Sequence, residues 1–142
     1  MNPTLLASGR KHGQLLRALL VAHGIVTLAA AVVLAVFPAA IPATVGIELN
    51  REGFLLSYFL AAAELGIGVL SIGAVRVTDR RALTLILDVF IVFHVVTAGL
   101  EVIYLGLTGM DAVIVVNVVI RVVASVAFFT ARRTLGRNEE SL

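Results

Sequence analysis

The chain has 142 residues, 60% of them hydrophobic and 14% charged, with a formal net charge of +2 and no cysteine. Soluble domains carry about 25% charged and about 45–50% apolar residues, so composition alone excludes an ordinary soluble domain. The absence of cysteine removes disulfide scaffolds, thiolate metal sites and thiol redox chemistry, and the length leaves room for one domain.

Residues 1–14 are polar and basic, with Arg10, Lys11 and His12, and are expected to form a solvated cytoplasmic segment. The first apolar run, Ala18 to Phe37, predicts a helix over about 15–37. A cleaved signal peptide is the competing reading. Its apolar region is usually only ~7–15 residues long and ends in a small-residue cleavage site, and neither holds here. The connection "FPAAIPATVGIELNREG" breaks the pattern with two prolines and two glycines before a second run, Phe54 to Val75, predicting a helix over 54–75. "RVTDRR" is a short charged turn, and Ala82 to Leu107 predicts a third helix over 82–107. "GLTGMD" is a tight turn that places Asp111 to cap a fourth helix over 112–132. Residues 134–142 read as a short, frayed polar tail in the cytoplasm.

Each run has the ~20 residues needed to cross a hydrocarbon core about 30 Å thick. The predicted fold is all-α: a polytopic membrane protein with four transmembrane helices in an antiparallel bundle over residues 15–133. Arg10, Lys11, Arg17, Arg76, Arg80, Arg81, Arg132, Arg133 and Arg137 fall on one side of the spans and Arg51 on the other. That asymmetry predicts a plasma-membrane protein with both termini cytoplasmic and gives no sign of nucleic-acid binding.

The polar residues inside the spans are the candidate site. A charge at mid-helix costs roughly 2.5–3.5 kcal/mol on insertion, so each needs a partner or a purpose. Counted at about 1.5 Å per residue from the basic side, Glu64, His94 and Arg121 reach similar depths, roughly 15–18 Å in. Asn117 and Glu101 lie further out, and His23 and Asp88 lie nearer the basic side. Helical spacing gathers the polar residues into stripes: Ser57, Glu64 and Ser71; His94, Thr97, Glu101 and Tyr104; Asn117, Arg121 and Ser125; His23 and Thr27. The expected pairing is Arg121 first with Glu64 and second with Glu101, through Asn117 or a water, with His94 between the carboxylates. Asp88 is expected near Arg80, Arg81 or Arg17. The "GIG" of Gly66 to Gly68, with Ala62 and Ala63 before it, suggests close helix approach.

His23 and His94 raise the possibility of a bis-histidine haem, but their counted depths differ by more than one turn and the surroundings are charged, so no haem is expected. Arg121 beside the carboxylates opposes a metal ion, and no cofactor is expected. No phosphate loop, nucleophile elbow or metalloprotease helix is present, so the reading leans away from an enzyme.

"FPAAIPATVGIEL" followed by "YFLAAAELGIGVLSIGA" resembles the small four-helix bacterial membrane proteins of the DoxX-like group, over Leu15 to Arg133. The resemblance implies the four-helix fold. The DoxX proteins themselves have proposed roles in quinone or thiosulfate chemistry with other subunits, and no site residue of theirs maps onto this chain. Three functions are expected. The polar cluster binds a small anionic or amphipathic ligand at Arg121, with Glu64, His94, Glu101 and Asn117 around it and His23 and Asp88 secondary. Alternatively, the protein is an accessory subunit docking on a partner membrane protein, or a proton-coupled small transporter acting as a homo-oligomer.

Overall fold

The structure, a computed structural model, describes the backbone of residues 3–137 and the side chains of residues 13–136. Its helices are α1 (Pro3–Val36), α2 (Ala40–Ala43), α3 (Phe54–Ala74), α4 (Arg80–Thr108) and α5 (Ala112–Arg137). α1, α3, α4 and α5 are long and apolar enough to cross a bilayer, and no strand occurs among the described residues. The protein is therefore an all-α, multi-pass integral membrane protein built as an antiparallel four-helix bundle.

α1 starts well ahead of the apolar run. Leu5, Leu6, Ala7, Arg10, Lys11 and Gln14 are good helix formers, so the helix continues beyond the apolar window, with Pro3 at its first position. The side chains of Arg10, Lys11 and His12 lie outside the described residues, as do residues 138–142 of the predicted tail. The proline-rich connection contains α2, a single turn that residue spacing did not predict. Pro42 sits in that first turn, where its missing N–H leaves no hydrogen bond unmade. Gly46 leaves the turn at φ +73°, a left-handed conformation suited to glycine. Ser57 Oγ donates to the Pro38 carbonyl at 2.7 Å and ties this connection to α3.

Asp79 caps α4 by accepting from the Arg81 N–H. Asp111 caps α5 as its position predicted, accepting from the N–H groups of Val113 and Ile114 at 2.9 and 3.0 Å. The long helices pack mainly as two antiparallel pairs, α1 with α3 and α4 with α5. Glycine permits the first pairing: a Cβ on Gly24 would stand 2.6 Å from Ile72 Cδ1, and one on Gly68 would stand 2.7 Å from Leu28 Cγ.

Between the pairs the two ends of the bundle differ. At the end holding the α3–α4 turn, Leu20, Ala74, Leu83, Leu87, Phe90 and Phe128 fill the axis as a closed apolar core. At the opposite end the pairs part, and the 41–49 segment lies across the opening. Large aliphatic side chains cover the outside, Val26, Val95 and Val123 among them, as a hydrocarbon solvent requires.

Candidate functional site

The hydrogen bonds among the interior polar residues form two sets, and buried Glu64 belongs to neither. In the first, Glu101 on α4 is held by two donors from α5. Asn117 Nδ2 donates to its Oε1 at 2.6 Å, and Arg121 Nε donates to the same oxygen at 3.0 Å. The three are spaced so that successive turns of α5 face one point on α4. The second carboxylate oxygen, Oε2, is buried without a hydrogen-bond partner. The Arg121 guanidinium also lies over the Phe93 ring, 5.8 Å from its centroid.

This group forms the polar wall of a cavity of about 730 Å³ at the open end of the bundle. Glu101, Tyr104, Asn117 and Arg121 line it together with Thr97 and Ser57. The remaining walls are aliphatic, from Leu34 on α1, Leu56 and Leu60 on α3, and Ile114 on α5, with Ile41 and Pro42 across the end. Several lining side chains, such as Leu56 and Ile120, are more than half exposed, so the cavity is open rather than sealed.

The second group lies between the cavity and the closed core. Ser71 Oγ donates to the Leu20 carbonyl at 2.9 Å, and His23 Nδ1 meets Ser71 Oγ at 3.0 Å. His94 Nε2 meets His23 Nε2 at 3.0 Å across the bundle. Phe90 and Phe128 pack on His23 with ring centroids 4.9 and 5.0 Å away, and Phe128 stacks on His94.

These positions correct three expectations. Arg121 pairs directly with Glu101, its expected second partner, while Glu64, expected first, has neither a hydrogen bond nor an ion pair among the described residues and does not line the cavity. A carboxylate on the helix that shares a hairpin with α5 is closer to Arg121 than one at equal counted depth on α3. His23 and His94 touch, although counting separated them by more than a turn, because the first span starts at Gly13, ahead of the apolar run from which depth was counted. Their nitrogens meet directly, and the Phe90 and Phe128 rings pack against His23. Asp88 pairs with Arg132 on α5, not with Arg80, Arg81 or Arg17, and both side chains of that pair are about two-fifths exposed.

Several stripe residues use their hydroxyls locally. Thr27, Thr97 and Ser125 each donate to a carbonyl one turn back on their own helix. Sequence reasoning missed Phe90, Phe93 and Phe128 as neighbours of the imidazoles. The i, i+4 spacing of Phe90 and His94 was the available signal for one of them. Among the described residues no three His, Asp or Glu side chains converge as metal ligands. Compared with family models, curated proteins and solved structures, the chain finds no match in any of the three.

Proposed function

We propose that this membrane protein binds a small amphipathic molecule in the cavity between its helix pairs. The observation that carries the reading is the cavity's asymmetry: one polar wall of Glu101, Asn117 and Arg121, and aliphatic walls elsewhere. Its volume falls within the range of about 300–1,000 Å³ typical of small-molecule sites. Glu101 engages Arg121 through Nε, and among the described residues the terminal guanidinium nitrogens make no hydrogen bond. An anionic or otherwise accepting head group would meet those nitrogens, and an alkyl or ring body would lie along Leu56, Leu60 and Ile114.

The Lys and Arg distribution supports cytoplasmic termini in a plasma membrane, with the cavity toward the outer half of the bilayer. The resemblance to the DoxX-like group supports the four-helix framework of this proposal and adds no activity to it.

The test is photolabelling with a decanoate carrying a diazirine near its tail, on protein in lipid nanodiscs. Labelling is expected within 56–60 and 113–117, displaced by excess decane-1-sulfonate and reduced at least tenfold in Arg121→Gln. Labelling spread along the lipid-facing residues, unchanged by Arg121→Gln, rejects the reading.

A further inference from the structure

The hydrogen-bond chain from Leu20 to His94 has a determined direction. The Ser71 hydroxyl has one hydrogen, and it goes to the Leu20 carbonyl. Ser71 Oγ must then accept from His23, which places that ring's hydrogen on Nδ1. A neutral His23 so arranged presents a lone pair at Nε2, so the hydrogen in the 3.0 Å contact belongs to His94 Nε2. His94 is left with a lone pair on Nδ1. That atom is buried without a partner in a side chain only 6% exposed. It can take a proton without breaking any bond in the chain.

The surroundings limit where such a proton comes from and what would hold it. On the α3–α4 turn side, Leu20, Leu83, Leu87, Phe90 and Phe128 close the axis. On the other side, Thr97 and Glu101 continue the His94 face of α4 to the cavity wall. The other ionisable groups of this interior are His23 on α1, Glu64 on α3, Glu101 on α4 and Arg121 on α5. Arg121 is already matched by Glu101, so an anion entering the cavity adds an uncompensated negative charge in a low-dielectric setting.

We infer that His94, which does not itself line the cavity, is a proton-binding site coupled to it, taking up one proton on Nδ1 when an anionic head group binds at Arg121. The lone pair becomes an N–H, the imidazole becomes imidazolium, and its charge offsets that of the ligand. His23 and Ser71 hold the ring so that Nδ1 is the free position. This inference rests on the ligand reading above. By linkage, each state favours the other by the same factor.

The experiment is calorimetric titration of the protein in nanodiscs with decane-1-sulfonate, whose head stays ionised throughout, in buffers of different ionisation enthalpy. In wild type, one proton is expected to be taken up per sulfonate bound, and affinity should fall about tenfold per pH unit across the linked range. His94→Gln should bind with a flat pH profile and no uptake, while Glu64→Gln keeps both. Solid-state nitrogen NMR on histidine-labelled wild type should show Nδ1 of His94 bare before ligand and protonated after, which decides the matter if His94→Gln fails to fold. Sulfonate binding with an unprotonated His94, or with uptake lost only in Glu64→Gln, overturns this inference and leaves the ligand reading standing. No sulfonate binding in wild type overturns both.

Discussion

Arg121 Nε donates to Glu101 Oε1 at 3.0 Å, joining the middle of α5 to the cavity half of α4 with both side chains mostly buried. Removing one member leaves the other charge in a low-dielectric wall. Breaking such a buried pair costs about 3–5 kcal/mol when burial is complete, and about 2–3 kcal/mol is expected at this partial exposure. Glu101→Gln and Arg121→Met should each lower the thermal midpoint in detergent. The double variant Glu101→Gln with Arg121→Met should lose less than the sum of the two single changes. Strict additivity would show that the two residues do not stabilise the bundle as a pair.

Gly68 and Gly66 belong to the same small-residue motif but have different surroundings. A Cβ on Gly68 would come within 2.8 Å of Leu28 Cδ2 and 2.9 Å of Thr27 Oγ1, and Thr27 is pinned by hydrogen bonds to its own helix. Nothing lies within 4 Å of the Cβ position at Gly66. Gly68→Ala should therefore destabilise by about 1–3 kcal/mol through overpacking between α1 and α3. Gly66→Ala should be neutral, or stabilising by up to about 1 kcal/mol from helix propensity. Equal midpoints for the two variants would argue against close α1–α3 contact at Gly68.

Those two glycines also show where sequence reading stops. "GIG" signals close packing, but only the partner helix decides which glycine it concerns. The four spans were legible because hydrocarbon imposes a length and a composition on any helix that crosses it. The α5 cap was legible because Asp111 stands directly before an apolar run. Pairing across helices was legible only in part: Glu101 was expected as the second partner of Arg121, but depth counting put Glu64 first and kept His23 away from His94, because it treats spans as upright rods starting in one plane. The cavity depends partly on α2 and the segment after it, where two prolines conceal any periodicity.

Asp88 and Arg132 also form an ion pair between α4 and α5, but about two-fifths of each side chain is exposed. Exposed pairs contribute about 0–1 kcal/mol, so Asp88→Asn should change the midpoint far less than Glu101→Gln does. The comparison separates burial from charge, since both variants convert an acid to its amide on the same helix. A larger loss from Asp88→Asn would mean that the pair is desolvated in the membrane-bound protein.

Ser71 bonds across to α1 and fixes the His23 ring, whereas Thr27 bonds only to carbonyls of its own helix. Ser71→Ala removes an acceptor from a part-buried ring N–H, and since an unsatisfied donor costs about 1–3 kcal/mol when burial is complete, a loss of about 1 kcal/mol is expected. It also frees His23 to exchange tautomers, so both ring nitrogens of His23 should appear in mixed protonation states by nitrogen NMR. Thr27→Val keeps the shape and leaves no partner unsatisfied across the interface, so its midpoint should move by less than about 1 kcal/mol and His23 should stay in a single tautomer. A single tautomer that persists in Ser71→Ala would mean that the His94 contact alone orients the ring, and the hydrogen-bond direction assigned through Ser71 would have to be abandoned.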